Sequence, residues 1–294
     1  MTDQHIGIAP PNHRLPDDAY VGRVRLQVSD LTRSIAYYEN VLGLRVLHRG
    51  DSIATLGVSD GDRPLLGLEE LPGAKPVPKR GLLGLYHFAV LLPDRASLGK
   101  LVGHLEEIGE RAGMSDHLVS EAIYLTDPDG LGIEVYADRP RDTWVIEAAQ
   151  IQMATNPLDV DNLIAAANGE RWTGAPRGTV MGHVHFFVGD IVEAERFYHA
   201  GLGLDKIVWN YPGALFMSAG GYHHHVGTNT WAAGSPPASA GDARLLDWEL
   251  VLPDKDSASA ALDSIEAAGF SVDRENGNRF ATDPWGVRVR LTAG

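Results

Sequence analysis

The sequence contains no cysteine among its 294 residues. A disulfide framework, a thiolate metal site and a cysteine nucleophile are therefore excluded, and any metal must bind to nitrogen and oxygen ligands. Basic side chains are also scarce, because 25 Lys and Arg residues stand against 39 Asp and Glu residues, for a formal net charge of −14. Such a charge repels phosphate backbones and anionic lipids, so neither nucleic acid nor a membrane is an expected partner.

Long apolar runs are missing as well. No stretch approaches the roughly 18 uninterrupted apolar residues of a membrane-spanning helix, and residues 1–20 lack the apolar centre of a signal peptide. A hydrophobic content of 44% is nevertheless typical of a folded globular chain. The sequence therefore predicts a cytoplasmic protein with room for two domains.

What the sequence does contain is one design repeated four times. Each copy is an alternating strand pattern that closes on an aspartate and leads into a helical pattern. The copies are VGRVRLQVSD, LYHFAVLLPD, MGHVHFFVGD and LLDWELVLPD, which end at Asp30, Asp94, Asp190 and Asp254. A shift of 160 residues superimposes the first half of the chain on the second, for example Tyr38 on Tyr198. Asp30 is well placed to cap the helix that follows it.

Each copy continues as three further strands, which predicts an α+β fold of four βαβββ modules. We expect an N-terminal extension at 1–20, a first two-module domain at 21–138, a connection at 139–178 and a second two-module domain at 179–294. The connection contains one short helical pattern between turn-rich flanks, so we expect a helix there.

One position in the repeated strand carries a different kind of residue from module to module. Seven residues before the closing aspartate, modules one to four carry Arg23, His87, His183 and Asp247. Only modules two and three therefore keep a side chain that binds a transition metal readily at this position.

Glu134 lies in the middle of a strand whose neighbours are apolar, and a buried carboxylate needs a cation, strong donors or a shifted pKa. The equivalent slot of module four holds Arg290. Two imidazoles and one carboxylate form the set that holds non-haem Fe(II) with open positions, so His87, Glu134 and His183 are candidate metal ligands. His185 is an alternative to His183, because residues two apart project from the same face of a strand. Modules two and three must then share one barrel, which leaves one and four to pair elsewhere.

Paired modules of this kind resemble the vicinal oxygen chelate superfamily over nearly the whole chain. The stretches GLYHFAVLLPDR, DHLVSEAIYLTDPDG, IEVYADRPRDTW and GGYHHHVGTNTW resemble, more narrowly, the type I extradiol dioxygenases of the catechol 2,3-dioxygenase type. The resemblance implies two cupped-sheet barrels and an Fe(II) enzyme, with Mn(II) as an alternative. It also implies that the enzyme inserts O2 into catechol or a substituted catechol to give a ring-opened semialdehyde. In the commonest layout of that family modules three and four form the active barrel, so this chain departs from it.

The resemblance also implies roles for residues around the metal. The acid/base histidine maps onto His224, although a fourth metal ligand and a solvated strand end are the alternatives. In a strand, His223 and His225 would share one face and His224 would take the other. We expect His223 and His225, like His185, to lie beside the substrate or beside the metal ligands. Tyr124, ten residues before Glu134, corresponds to a tyrosine that hydrogen-bonds the substrate, or else packs in the sheet.

Other side chains are expected in the surroundings of the metal and the substrate. His117 and Ser120 resemble groups beside the oxygen site, with a role in the loop itself as the alternative. Trp172, Trp209 and Trp231 could line an aromatic pocket, although core packing is the more usual role for each.

Three further questions stay open at this level. A hydroquinone would suit the same ligands as a catechol, since the metal ligands do not report the spacing of the ring oxygens. A glyoxalase-like isomerase or a metal-dependent transferase is the second hypothesis, and a non-catalytic binding module is the third. We also expect a homo-oligomer, because edge strands in this architecture pair between subunits.

Overall fold

The computed structural model describes residues 6–58, 63–275 and 277–294 of the chain. Within these residues, the strands form two curled eight-stranded sheets and a separate two-stranded hairpin. Each module supplies four strands and one helix in the order β-α-β-β-β. The predicted α+β class and the four βαβββ modules are therefore confirmed.

Modules one and four build the first sheet. Module one supplies β1 (Tyr20–Val28), β2 (Arg45–Arg49), β3 (Ile53–Gly57) and β4 (Pro64–Glu70). Module four supplies β15 (Arg244–Leu252), β16 (Val272–Glu275), β17 (Asn278–Thr282) and β18 (Arg288–Ala293). The first strands of the two modules, β1 and β15, pair antiparallel at the sheet centre.

Modules two and three build the second sheet. Module two supplies β5 (Gly84–Leu91), β6 (Gly113–Asp116), β7 (Ser120–Thr126) and β8 (Gly132–Asp138). Module three supplies β11 (Val180–Phe187), β12 (Asp205–Val208), β13 (Ala214–Ser218) and β14 (Val226–Asn229). The strand order is β12-β13-β14-β11-β5-β8-β7-β6, so the predicted pairing of modules two and three is confirmed.

One helix follows the first strand of each module. The helices are α1 (Leu31–Asn40), α2 (Arg95–Ile108), α4 (Ile191–Ala194), which continues as a π-helical segment over Glu195–Gly201, and α5 (Lys255–Ala267). The four repeated aspartates all act as N-caps, because each accepts a hydrogen bond from a backbone N–H at the start of its helix. After α1, Gly43 adopts a φ of 64°, a conformation that glycine takes at little cost.

The connection between the halves contains the expected helix, α3 (Val160–Ala165), and also a hairpin of β9 (Ile146–Glu147) and β10 (Gln150–Ile151). Each sheet takes one module from each half of the sequence. The boundaries proposed at 21–138 and 179–294 therefore delimit the repeats rather than the sheets. No helix of the described residues is long and apolar enough to cross a membrane.

Candidate metal centre

Three side chains converge at the middle of the second sheet. His87 comes from β5, Glu134 from β8 and His183 from β11, and each is at most 3% exposed. Oε2 of Glu134 lies 3.0 Å from Nε2 of His87 and 3.3 Å from Nε2 of His183. The ligand atoms of all three lie within 4.8 Å of one another. The arrangement brings two imidazoles and one carboxylate around a single point.

The strand register explains why these side chains meet. On β5, Ala89 pairs with His183 of β11 on one side and with Glu134 of β8 on the other. Residues that pair across a sheet project to the same face, and the small alanine leaves space above the central strand. His183 and Glu134 therefore approach each other across it.

Irregularities in the pairing between β5 and β11 change the direction of other side chains. The pairing of β5 with β11 shifts between Met181 and His183, and again between His185 and Phe186. The second shift leaves Tyr86 as the extra residue, so both Tyr86 and His87 line one cavity although they are adjacent in a strand. A bulge of this kind beside a site re-aims side chains that simple alternation would separate.

The donor set fits a divalent metal. In the described structure, both ring nitrogens of His87 and of His183 are buried, and the two Nε2 atoms lie close to Glu134 without meeting it in hydrogen-bond geometry, which is costly for polar atoms. Burial lowers the pKa of His183 to about 4, although Glu134 opposes this shift, so the imidazole is neutral and offers a lone pair. Burial by itself would raise the pKa of Glu134, but His183 and His87 hold it well below its usual range. A metal would use the lone pairs that the protein leaves unused.

His185 occupies a different place from His183. Its ring lies 5.0 Å from that of His87, centroid to centroid, but its Nε2 accepts a 3.0 Å hydrogen bond from Nδ2 of Asn229. A side chain at Gly227 would come within 2.9 Å of the His185 ring, so that glycine makes space for it. The structure therefore places His185 on the cavity wall, with one nitrogen already engaged.

Tyr124 and His117 form a hydrogen-bonded pair. Tyr124 lies opposite Glu134 in the ladder between β7 and β8. Nδ1 of His117 lies 2.6 Å from the carbonyl oxygen of Ala154, an acceptor, so Nδ1 carries a proton, and Nε2 lies 2.6 Å from the Tyr124 hydroxyl. Burial, followed by the charge of Glu134, raises the pKa of Tyr124 well above its usual value. Both side chains line the cavity, as does the buried Ser120.

The prediction for the histidine run is wrong in one respect. β14 begins only at Val226, so His223, His224 and His225 precede the strand and do not alternate across it. His224 lies on the cavity with its ring 4.0 Å from that of His183, and burial lowers its pKa well below the usual range.

The neighbours of His224 do not line the cavity. His223 is 1% exposed, and its Nδ1 lies 2.7 Å from Nδ1 of His224. His225 lies away from the site, where its Nδ1 accepts a hydrogen bond from the backbone N–H of Ala219. The expectation that His225 lies beside the substrate is therefore wrong, because the turn at Gly220 and Gly221, with φ of 62° and 63°, replaces the strand.

The cavity next to this centre has a volume of about 250 Å³. Aromatic rings and histidines form much of its wall, namely Tyr86, Tyr124, Tyr211, Phe216, Trp231, His87, His117, His185 and His224. Trp231 is 52% exposed, which places it at the opening. Trp172 and Trp209 both pack against the hydrophobic core, as expected, and neither lines this cavity, although Trp172 also borders a separate groove.

Sequence reasoning did not identify several of the wall residues. The bulge at Tyr86 has no signal in a period-two pattern, and Tyr211 comes from a loop. Asn229, which donates a hydrogen bond to the wall residue His185, lies in one of the stretches that carry the family resemblance, and that location was its only signal in the sequence.

Ion pairs line the corresponding region of the first sheet. Arg25 contacts Asp247 at 2.6 Å, and both Arg23 and Arg290 contact Glu249. These arginines occupy or neighbour the positions that the second sheet gives to its histidines and its glutamate. Their cations neutralise the carboxylates, and among the residues that the structure describes this region holds no metal-ligand group comparable to that of the second sheet.

Comparison with known proteins agrees with the geometry. The family model of the Glyoxalase/Bleomycin resistance protein/Dioxygenase superfamily matches residues 20–135 and 180–291. A catechol-2,3-dioxygenase from Bacillus subtilis (strain 168) is 44% identical over 272 residues, which cover 91% of this chain and 95% of that protein. The metallothiol transferase FosB of Lysinibacillus sphaericus (strain C3-41) is 28% identical over 125 residues, 42% of this chain and 84% of FosB.

Solved structures share the fold. A Bacillus subtilis protein provisionally described as a dioxygenase superimposes with a TM-score of 0.66 at 13% identity, covering 96% of this chain and 86% of its own. Glyoxalase I from Zea mays gives a TM-score of 0.55 at 19% identity, covering 94% and 92%. The superfamily resemblance seen in the motifs is confirmed, and the chain belongs to the Glyoxalase/Bleomycin resistance protein/Dioxygenase superfamily.

Proposed function

We propose that this protein is an Fe(II)-dependent extradiol dioxygenase that cleaves the ring of catechol or a substituted catechol. The observation that carries the proposal is the buried group of His87, Glu134 and His183 beside a cavity walled by aromatic rings and histidines. The 44% identity to a catechol-2,3-dioxygenase along nearly the full chain supports the same reaction.

The three converging side chains would hold the metal through Nε2 of His87, Nε2 of His183 and the carboxylate of Glu134. Two neutral imidazoles and one carboxylate leave a net charge of about +1 on a divalent ion, which favours an anionic bidentate ligand such as a catecholate. When bound, Fe(II) supplies the sites at which the diol and O2 are brought together and the path for electrons between them. Mn(II) fits the same donors, so the choice of metal belongs to the proposal.

The cavity selects a small planar substrate. Its volume of about 250 Å³ lies below the roughly 300–1,000 Å³ of pockets for drug-sized ligands. Tyr86 and Phe216 offer ring faces and edges, while Trp231 stands at the opening. A single-ring diol therefore suits the space better than a larger or fully polar ligand.

The remaining polar groups have assigned tasks. His224 is the acid/base group, because it lines the cavity and its ring packs against that of His183. Tyr124 lies beside Glu134 and, through the His117 pair, orients its hydroxyl near the reacting oxygens. The protein thereby positions the diol, moves its proton and excludes water, while both atoms of O2 enter the product and one ring C–C bond breaks.

The test is oxygen consumption by anaerobically prepared ferrous protein mixed with catechol and ¹⁸O2. We expect one O2 to be consumed per ring, both labelled atoms to enter the product, and the visible absorbance of a ring-opened semialdehyde to appear. His87→Ala should abolish the reaction, whereas His104→Ala on α2, outside the cavity, should not. No oxygen consumption across a panel of catechols and hydroquinones would refute the proposal, and consumption with hydroquinones alone would change the substrate.

A further inference from the structure

A chain of side-chain contacts links the cavity to the protein surface. Nδ1 of His224 lies 2.7 Å from Nδ1 of His223, and Nε2 of His223 lies 3.0 Å from Oδ1 of Asp138. His224 and His223 are 5% and 1% exposed, whereas the Asp138 side chain is 27% exposed. Asp138 closes β8, the same strand that supplies Glu134.

The carboxylate of Asp138 acts as a hydrogen-bond acceptor. The hydroxyl of Tyr222 donates to both carboxylate oxygens at 3.2 and 3.0 Å, and it lies 2.7 Å from the hydroxyl of Tyr136. An ionised carboxylate only accepts hydrogen bonds, so Nε2 of His223 must carry a proton to bond with it.

The proton positions in the two rings then follow from hydrogen-bond counting. With one proton on each ring, His223 carries its proton on Nε2 and has a bare Nδ1. Two bare nitrogens would repel each other at 2.7 Å, so Nδ1 of His224 donates the hydrogen bond. The neutral ring of His224 is thereby left with a bare Nε2.

We infer that Asp138 and His223 are positioning residues that hold His224 in one orientation and one tautomer, with a bare Nε2 available as a proton acceptor in the cavity. The consequence for catalysis rests on the proposed role of His224, but the tautomer itself does not. A residue that hydrogen-bonds one nitrogen of a reacting imidazole orients the ring and sets which nitrogen carries the proton. Without Asp138 and His223, His224 would be expected to exchange tautomers and to swing in its space.

The first experiment measures the tautomer in metal-free protein by ¹⁵N NMR of the histidine rings. In the wild type we expect the His224 proton on Nδ1, and in Asp138→Ala a mixture of both tautomers. Asp142→Ala is the matched control, because it removes an exposed carboxylate four residues further along the chain. Asp138→Asn keeps an acceptor oxygen and should restore the wild-type tautomer. A His224 proton on Nε2 in the wild type, or no change in Asp138→Ala, would overturn the inference.

The second experiment uses steady-state kinetics with ferrous protein and catechol. Asp138→Ala should lower kcat on the order of 10- to 100-fold, with KM and bound metal unchanged, while Asp142→Ala keeps wild-type values. An equal loss of bound metal would show that Asp138 supports only the fold around the metal, against the inference. If no ring cleavage occurs in the wild type, the proposed function fails, yet the NMR result still decides the tautomer.

Discussion

Replacing Glu134 by Gln separates metal binding from folding. Glu134 is 3% exposed, and its carboxylate is the only negative charge among the three converging side chains. Gln keeps the shape but removes the charge. In metal-free protein this change should lower stability, because His183 and His87 hold the pKa of Glu134 well below its usual range and so favour the folded protein with an ionised carboxylate. Metal-dependent stabilisation should be lost as well.

The magnitude follows from binding linkage. Metal at 100 times its dissociation constant stabilises the wild type by about 2.7 kcal/mol. With an unfolding entropy of about 2.1 cal/mol/K per residue, this corresponds to a rise in Tm of about 4 °C for 294 residues. Loss of a residue that hydrogen-bonds to a metal ligand weakens metal binding by up to roughly 100-fold. Loss of a direct metal ligand should weaken metal binding by more than that. The same metal concentration then stabilises Glu134→Gln by less than about 0.4 kcal/mol.

The assay is a thermal melt under argon with and without Fe(II), repeated with Mn(II). Asp247→Asn is the matched control, because this buried carboxylate stands in the histidine slot of module four and contacts Arg25. Its Tm without metal should change, but the rise caused by metal should not. A full metal-dependent rise in Glu134→Gln would refute the assignment of Glu134 as a ligand.

Other consequences can be tested separately. Ala89→Val should crowd the space across which His183 and Glu134 meet, lowering stability by about 1–3 kcal/mol in urea titrations and weakening metal binding, as followed by calorimetry. Tyr124→Phe removes a hydroxyl from the cavity and should lower kcat on the order of 10-fold at unchanged metal content; an unchanged kcat would assign Tyr124 to packing alone. Burial raises the pKa of Asp127 from 3.8 to about 6. Between these pH values the folded protein binds more protons than the unfolded chain, so the free energy of unfolding falls as the pH rises. Asp127→Asn should therefore remove about 3 kcal/mol of the fall measured between pH 3.5 and 7, and an unaltered pH profile would contradict this.

The sequence was sufficient for the fold because the repeat encodes it several times. Each closing aspartate caps a helix, and the slot seven residues earlier faces the same side of its strand in every module. The asymmetry between His87 and Arg23 was enough to predict which modules share a sheet. His87 and His183 then meet because the two strands pair at the sheet centre.

The finer arrangement depends on features that a sequence pattern does not carry. A bulge moves Tyr86 to the cavity, and a turn with two left-handed glycines removes His223 and His224 from strand alternation. The contact of His223 with Asp138 joins residues 85 positions apart. Its location depends on how module three packs against the end of β8, which local periodicity does not specify.

The most direct measurement is anomalous diffraction at the iron edge from crystals of the ferrous protein grown without oxygen. We expect one strong peak per chain within about 2.0–2.2 Å of Nε2 of His87, Nε2 of His183 and a carboxylate oxygen of Glu134. A peak bound to other side chains, or no peak in protein that consumes oxygen with catechol, would contradict this expectation.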